Sequence, residues 1–347
     1  MRLRRHHIYG GVTAIIVITM IAAIIGQPST ARAQAIAGAV TPVAQPIAAP
    51  LGLVVNSLTG DLRFDQELIE VRGGDYPITF NVVYDTAFAD EDIGYTPNWR
   101  TNHDTYYERL PSGDLRVNFG TGGGALFLPT GDGYRSLSGS GYRLLEPITD
   151  VFVLQDLANS INYYFEDPSH RKLTRRDAAG TQAHVYLYNE SSQLTEIRNR
   201  FGGALTFDYA TLGEITRLIR VTDAEANRTI TLNYDDADQL TEIIDYAGAR
   251  HAFTYSDGLL ATYTNARGTT AEVSYTDRGV ASILTPLTAM ALDYNVGNRT
   301  TSVIERVNGQ ERTTTYSYNV DNQIAAITSP GECRSEFTWT AGGAIDT

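Results

Sequence analysis

The chain has 347 residues, 42% of them hydrophobic, and its 27 Lys and Arg against 40 Asp and Glu give a formal net charge of −13. A protein of that sign is repelled by nucleic acid and anionic lipid, so no nucleic-acid partner is expected. One cysteine, Cys333, excludes an internal disulfide framework and a multi-cysteine metal site, while 21 Tyr and 31 Gly beside 19% charged residues point to strands and turns.

Residues 1–33 read as a signal peptide. Arg2, Arg4 and Arg5 precede an apolar run from Val12 to Ile25 broken only by Thr13 and Thr19, and Ala31-Arg32-Ala33-Gln34-Ala35 follows. Small residues there suit a signal peptidase, with cleavage after Ala33 or Ala35. The alternative is an uncleaved inner-membrane anchor, since the run nearly reaches spanning length. Membrane contact is expected only through that segment. Cleavage removes the four arginines of residues 1–35 and takes the net charge from −13 to −17. The expected location is periplasm, cell envelope or medium. Residues 34–52 are Ala- and Pro-rich, and Pro42, Pro46 and Pro50 exclude a helix, so an extended tether is expected.

Residues 53–165 read as an all-β domain. Leu115, Val117 and Phe119 alternate with polar residues, as do Leu126 and Leu128. Gly-Asp and Gly-Ser turns recur about every ten residues.

Residues 166–347 read as a repeat array. Tyr188, Tyr209, Tyr234, Tyr255, Tyr275, Tyr294, Tyr318 and Trp339 are spaced by 21, 25, 21, 20, 19, 24 and 21 residues. Two residues before each stands Tyr186, Phe207, Leu232, Phe253, Val273, Leu292, Tyr316 or Phe337, and the residue between is polar in all but Leu187. Such alternation marks a half-buried strand. Gly180, Gly202, Gly248, Gly268, Gly309 and Gly331 precede the aromatics, where turns need φ > 0. A second apolar pair follows in several units: Leu194 with Ile197, Leu240 with Ile243, Ile324 with Ile327. Each unit is therefore strand, turn, strand, turn, and the units must stack to bury a shared face. A spacing of three puts Leu and Ile on opposite faces of a flat strand; a bulge, or cover on both faces, would resolve this.

Tyr234-Asp235-Asp236-Ala237-Asp238-Gln239-Leu240-Thr241-Glu242-Ile243 resembles the Tyr-Asp (YD) repeat of the RHS family, whose shells are teneurin-like. The segments from Tyr188 to Ile197 and from Tyr318 to Ile327 are similar copies; Tyr255, Tyr275 and Tyr294 head degenerate ones, and Phe165–Leu173 is a worn first copy. Val55-Asn56-Ser57-Leu58-Thr59-Gly60 and the stretch Ile78 to Asp85 are similar to the domain that precedes such arrays. Gly94 followed by Trp99-Arg100-Thr101-Asn102 resembles the family's Gly-x-Gly-Trp turn, with Pro97-Asn98 where a second Gly is usual. The resemblance implies an all-β chain: an N-terminal β domain, then stacked two-stranded hairpins forming a curved sheet, part of a β-cage.

No motif specifies an enzyme or a cofactor. Gly120-Thr121-Gly122-Gly123-Gly124 lacks the Lys-Ser/Thr and helix of a phosphate loop and reads as a hairpin turn. Ser138-Gly139-Ser140-Gly141 does not match a nucleophile elbow. Asp90-Glu91-Asp92 and Asp235-Asp236-Ala237-Asp238 read as solvated turns rather than calcium loops. His103 reads as a structural histidine with no second histidine near it, and nothing joins His170, His184 and His251. Cys333 reads as a small buried apolar residue. The repeat aromatics read as the packed face, not as a sugar platform.

In the RHS family the repeats spiral into a cage that holds a C-terminal toxin, which implies a non-enzymatic shell module whose partner is a toxin or a further shell segment. No unrelated domain and no autoproteolysis signature follow the repeats, and the chain stops inside a unit, so it reads as truncated. Eight two-stranded units span roughly 77 Å at ~4.8 Å per strand. Enclosing a ~100-residue toxin needs a wall on the order of 170 Å around. The alternative is a stand-alone adhesion module whose concave face binds a cell-surface glycan. A third reading is a hydrolase using His103.

Overall fold

A computed structural model describes residues 46–88, 96–137, 141–340 and 345–346. The signal segment, residues 34–45 of the tether, Asp90-Glu91-Asp92, Gly94 and Ser138-Gly139-Ser140 lie outside the described residues. So do Gly343, Ala344 and Thr347.

The described chain is all-β, with no α-helix among the described residues. Strands β1 (Pro46–Ala48), β2 (Leu53–Asn56), β3 (Leu62–Val71), β4 (Ile78–Asp85) and β5 (Trp99–Thr101) form a five-stranded antiparallel meander. Strands β6 (Tyr106–Arg109), β7 (Leu115–Asn118), β8 (Gly124–Thr130) and β9 (Gly133–Ser136) form a second, four-stranded meander. From β10 (Tyr142–Ile148) to β28 (Cys333–Glu336) the chain builds one antiparallel sheet of 19 strands, each paired with its neighbour in sequence. It is a curved strip, not a closed barrel.

Two expected limits shift. Pro46–Ala48, placed in the tether, pairs with β2 and buries Ile47. The prolines flanking this short edge strand leave its outer side without a full row of donors, which suits an edge. The strip also runs upstream of residue 166 without a break, through β12 (Ile161–Phe165) and β11 (Val151–Asp156) to Tyr142.

Six of the repeat turns are each built by one Asx side chain. Asn189, Asn199, Asp235, Asp245, Asn265 and Asn319 each accept, through Oδ1, the N–H groups two and four residues ahead. The residue three ahead has positive φ: Ser192, Gly202, Asp238, Gly248, Gly268 and Asn322. That explains why Asp, Asn and Gly recur where they do. Asp235 is thus occupied in its own turn rather than presented to a cation.

The Leu-x-x-Ile spacing is resolved by a bulge. Tyr188 pairs with Leu194 and Leu187 with Glu196, so Thr195 is an extra residue on its strand. The same shift leaves Ile219, Thr241, Ala261, Ala281 and Ala325 extra in five further hairpins. Inserting one residue returns a spacing of three to a single face. Leu194 with Ile197, Leu240 with Ile243 and Val280 with Ile283 are accordingly all buried, although Ile327 is only half-buried. The hairpin of β24 (Thr288–Asn295) and β25 (Thr300–Val307) keeps an unshifted register. Its buried residues there, Thr301 and Val303, are two apart and need no bulge.

The buried face of the strip rests on the two N-terminal sheets. Phe64 packs on Phe253 and Tyr263, Trp99 on Phe253, and Phe80 on Phe207. Farther upstream, Tyr107 of the four-stranded sheet packs on Phe152 and Phe165. One continuous apolar core joins all three sheets. Backbone contacts lock the layers: Val280 N–H donates to Gly60 O at 2.9 Å. A Cβ on Gly60 would lie 2.4 Å from Arg278 O, at a φ of +77°, so only glycine permits this approach.

One face of the strip is therefore filled by the chain's own N-terminal sheets.

Candidate functional site

The repeat aromatics form a ladder of side-chain hydrogen bonds across the strip. Tyr234 Oη donates to Leu218 O at 2.8 Å, Tyr255 to Leu240 O at 2.6 Å, Tyr275 to Leu260 O at 3.0 Å and Tyr294 to Val280 O at 2.8 Å. Trp339 Nε1 donates to Ile324 O at 2.6 Å, whereas at Tyr209 the Leu194 backbone N–H donates to the hydroxyl oxygen. Each acceptor is the residue just before a bulged one. The bulge disrupts the ladder locally, and the next unit's aromatic takes up the carbonyl beside it. Tyr188 makes the equivalent bond to Leu173 O at 2.8 Å.

Tyr318 follows the one hairpin of this series with an unshifted register, and its buried Oη faces the side chains of Ser57 and Thr301 instead of a carbonyl beside a bulge. This contrast gives a test. Tyr234→Phe, which leaves a buried carbonyl unpaired, is expected to cost about 1–2 kcal/mol. Tyr318→Phe is expected to cost clearly less, because no carbonyl beside a bulge depends on its hydroxyl. Urea midpoints of the two variants check the difference; equal losses would refute the ladder.

Six of the aromatics, Tyr188 through Tyr294, pack half-buried against the core, and Tyr318 is buried. Trp339 and Phe337 are only half-buried, at the end of the strip. Cys333, expected to be buried, is exposed: it opens the terminal strand β28, directly after the turn at Gly331 and Glu332. Gly120 to Gly123 form the turn between β7 and β8, where Gly122 N–H donates to Phe119 O.

A polar cavity lies at the seam where the two N-terminal sheets meet the strip. It has a volume of about 220 Å³ and is lined by Thr79, His103, Phe119, Tyr142, Tyr163, Arg176, His184 and Tyr186, among others. The long sheet places Tyr163, Arg176 and His184 side by side on adjacent strands. His103 reaches in from the turn after β5, its Nε2 2.7 Å from Thr79 O. The two histidines flank the Tyr186 ring, with centroids 5.9 and 6.4 Å away.

The expectation that His103 has no second histidine near it is thus overturned. His184 lies close enough to depress its basicity, although 81 residues separate them in the chain. His170 and His251 stay apart, bonded to Ser192 and Tyr263.

Burial, helped by His184, pushes His103 down to about 3, and burial with Arg176 pushes His184 down to about 4. Unfolded histidines titrate near ~6.5. Above that pH both states are neutral and these groups contribute nothing. As pH falls below it, only the unfolded chain gains protons, so stability falls toward the folded-state values. The loss approaches ~1.4 kcal/mol per pH unit for each histidine. Asp85 and Asp104, raised by burial, act in the opposite sense as pH falls. His103→Gln is expected to flatten the decline of the urea midpoint between about pH 6.5 and 5; an unchanged slope would show that the ring is not the source.

A second, more open groove of about 710 Å³ runs beside β3. It is lined by Glu67, Glu70, Asp223, Glu225, Arg228 and Tyr246, with Arg228 over the Tyr246 ring. Tyr246 and Phe201 are the large aromatics that face outward. Among the described residues no group of three or more His, Cys, Asp or Glu is placed to hold a metal ion. No helix among them is long and apolar enough to cross a membrane.

No protein-family model and no curated protein matches the chain. Solved structures do. The Photorhabdus luminescens Tc holotoxin pore is 12% identical over 83% of this chain and 18% of that one, with a TM-score of 0.30. A porin-like protein from Bacteroides uniformis is 16% identical over 59% of this chain and 85% of that one, at 0.26. The N-terminal domain of the effector protein SpvB from Salmonella typhimurium is 12% identical over 73% of this chain and 100% of that one, at 0.23. The chain spans less than a fifth of the Tc toxin chain. At such scores the functional reading rests on the chain's own geometry.

Proposed function

We propose that this chain is a non-enzymatic structural module, a stretch of β-strand wall of the RHS type, exported through its first 33 residues. The observation that carries the reading is the match between five of the six bulges and the aromatic of the following unit. Most repeats give their apolar residues and their aromatic's polar tip to a neighbour, which is how a wall is built rather than a pocket. The N-terminal sheets back the strip and give it a solid start. Enclosure of a toxin would then fall to strands added beyond β28, the last of the strip.

Intact mass and peptide mapping of the protein in its native envelope fraction test this. The expected result is a larger species in which these peptides continue into more repeats and a protease-resistant cargo. A bare product of this chain with saturable binding across a glycan panel would replace the shell with the adhesion reading. Tyr246 and its groove would then be the first place to look.

A further inference from the structure

We propose that the seam cavity binds a small oxyanion that retains an O–H group, the class of hydrogen phosphate and the α-hydroxycarboxylates. Three features of the cavity carry this.

The first is a cation. Arg176 lines the cavity, and its side chain makes none of the carboxylate contacts of its neighbour Arg175, which pairs with Glu166 and Asp177. The carboxylate acting on the same Tyr163 is Asp156, already bonded within its own turn. Its guanidinium lies against the Tyr163 hydroxyl and near both histidines, all of them neutral groups at neutral pH. A guanidinium whose immediate neighbours are neutral rings favours an anion, and its planar fork suits two oxygens of one acid group.

The second is a lone pair with nothing to receive. His184 Nε2 lies 3.3 Å from Tyr76 O, and Pro77 O also bonds the ring; both are carbonyls that can only accept, and placing the ring hydrogen on Nε2 satisfies the Tyr76 contact. Nδ1 then presents a lone pair; it is buried, has no hydrogen-bond partner, and belongs to a residue only 3% exposed. Burial keeps the ring neutral down to about pH 4, so Nδ1 remains an acceptor throughout the neutral range. A buried acceptor without a donor costs free energy that a ligand's O–H would recover.

The third is size and position. Arg176 and His184 are direct cross-strand partners, so a single small acid can touch both. The cavity, at about 220 Å³, has room for a phosphate-sized or lactate-sized molecule with water beside it. Sulfate and acetate would satisfy Arg176 but bring no hydrogen to His184; a neutral sugar would leave the charge unanswered.

Isothermal titration of the full chain near neutral pH, with inorganic phosphate, sulfate, lactate and acetate as probes, tests the assignment. Saturable binding of phosphate or lactate is expected, each about tenfold tighter than its partner lacking the hydroxyl, from one hydrogen bond to a buried acceptor. Whichever of the two binds tighter names the source of the ligand. Arg176→Gln should abolish binding, and His184→Phe should erase the preference of phosphate over sulfate. Sulfate equal to phosphate, or no saturable heat from any probe, overturns the proposal. Should either variant fail to fold by circular dichroism, the comparison of the four probes on the unaltered chain decides alone.

Discussion

Trp99→Ala is expected to lower stability by about 4–5 kcal/mol, a large share of the ~5–15 kcal/mol that holds a folded protein together. The indole is 1% exposed and meets Phe64, Tyr84 and Phe253 edge-on at centroid distances of 6.2, 5.3 and 4.8 Å. Removing it opens a cavity between the five-stranded sheet and the strip, where neither rigid layer can collapse to fill it. A polar loss adds to this. Trp99 Nε1 donates to Tyr255 Oη at 2.9 Å, and Tyr255 passes its own hydrogen to Leu240 O. Trp99→Phe keeps an aromatic ring and loses that donor, so about half the cost is expected. Urea denaturation measures both. A loss below ~1 kcal/mol for the alanine variant would mean that the two layers do not depend on this contact.

The second large effect concerns Arg217 and Asp238, where the less buried partner is the more costly to change. Arg217 has a side chain only 2% exposed and grips Asp238 with Nε and Nη2, the Nε distances being 3.0 and 3.1 Å. The pair spans one repeat, joining β17 (Ile215–Asp223) to the turn of the next hairpin. Arg217→Met leaves behind a carboxylate that is 23% exposed and can be rehydrated, so about 2 kcal/mol is expected. Asp238→Asn keeps the shape and the tolerance of positive φ but takes the negative charge from a buried guanidinium. About 3–4 kcal/mol is expected. A double-mutant cycle should give a coupling of about 2 kcal/mol; a coupling near zero would make the contact incidental.

How much of this was legible in the sequence depends on the range of the interaction. The hairpins were, because alternation around Tyr188 to Trp339 and the Gly and Asx turns are local signals. The bulges were visible only as a conflict: Leu240 and Ile243 stand three apart, which a flat strand cannot bury together. Both resolutions remained open until the pairing register was known. Cover over the strip was not legible, since nothing local to Phe253 says that Phe64 lies against it, 189 residues earlier. The seam cavity was missed for the same reason: Arg176 and His184 look like ordinary strand residues until β13 (Arg175–Ala178) and β14 (Thr181–Tyr188) align them beneath His103. Cys333 was misread because a repeat position predicts burial only while another unit covers it.

The central claim, that the chain's own N-terminal sheets fill the packed face of the repeat strip, can be read from a single indole. The protein has two tryptophans, so Trp339→Phe leaves Trp99 as the sole reporter. Iodide quenching of its emission along a urea titration is the measurement. A filled face predicts blue-shifted emission that iodide barely touches until the far-UV signal of the sheet collapses with it. Ready quenching and red-shifted emission while the sheet remains intact would contradict it, and would return the strip to an open wall.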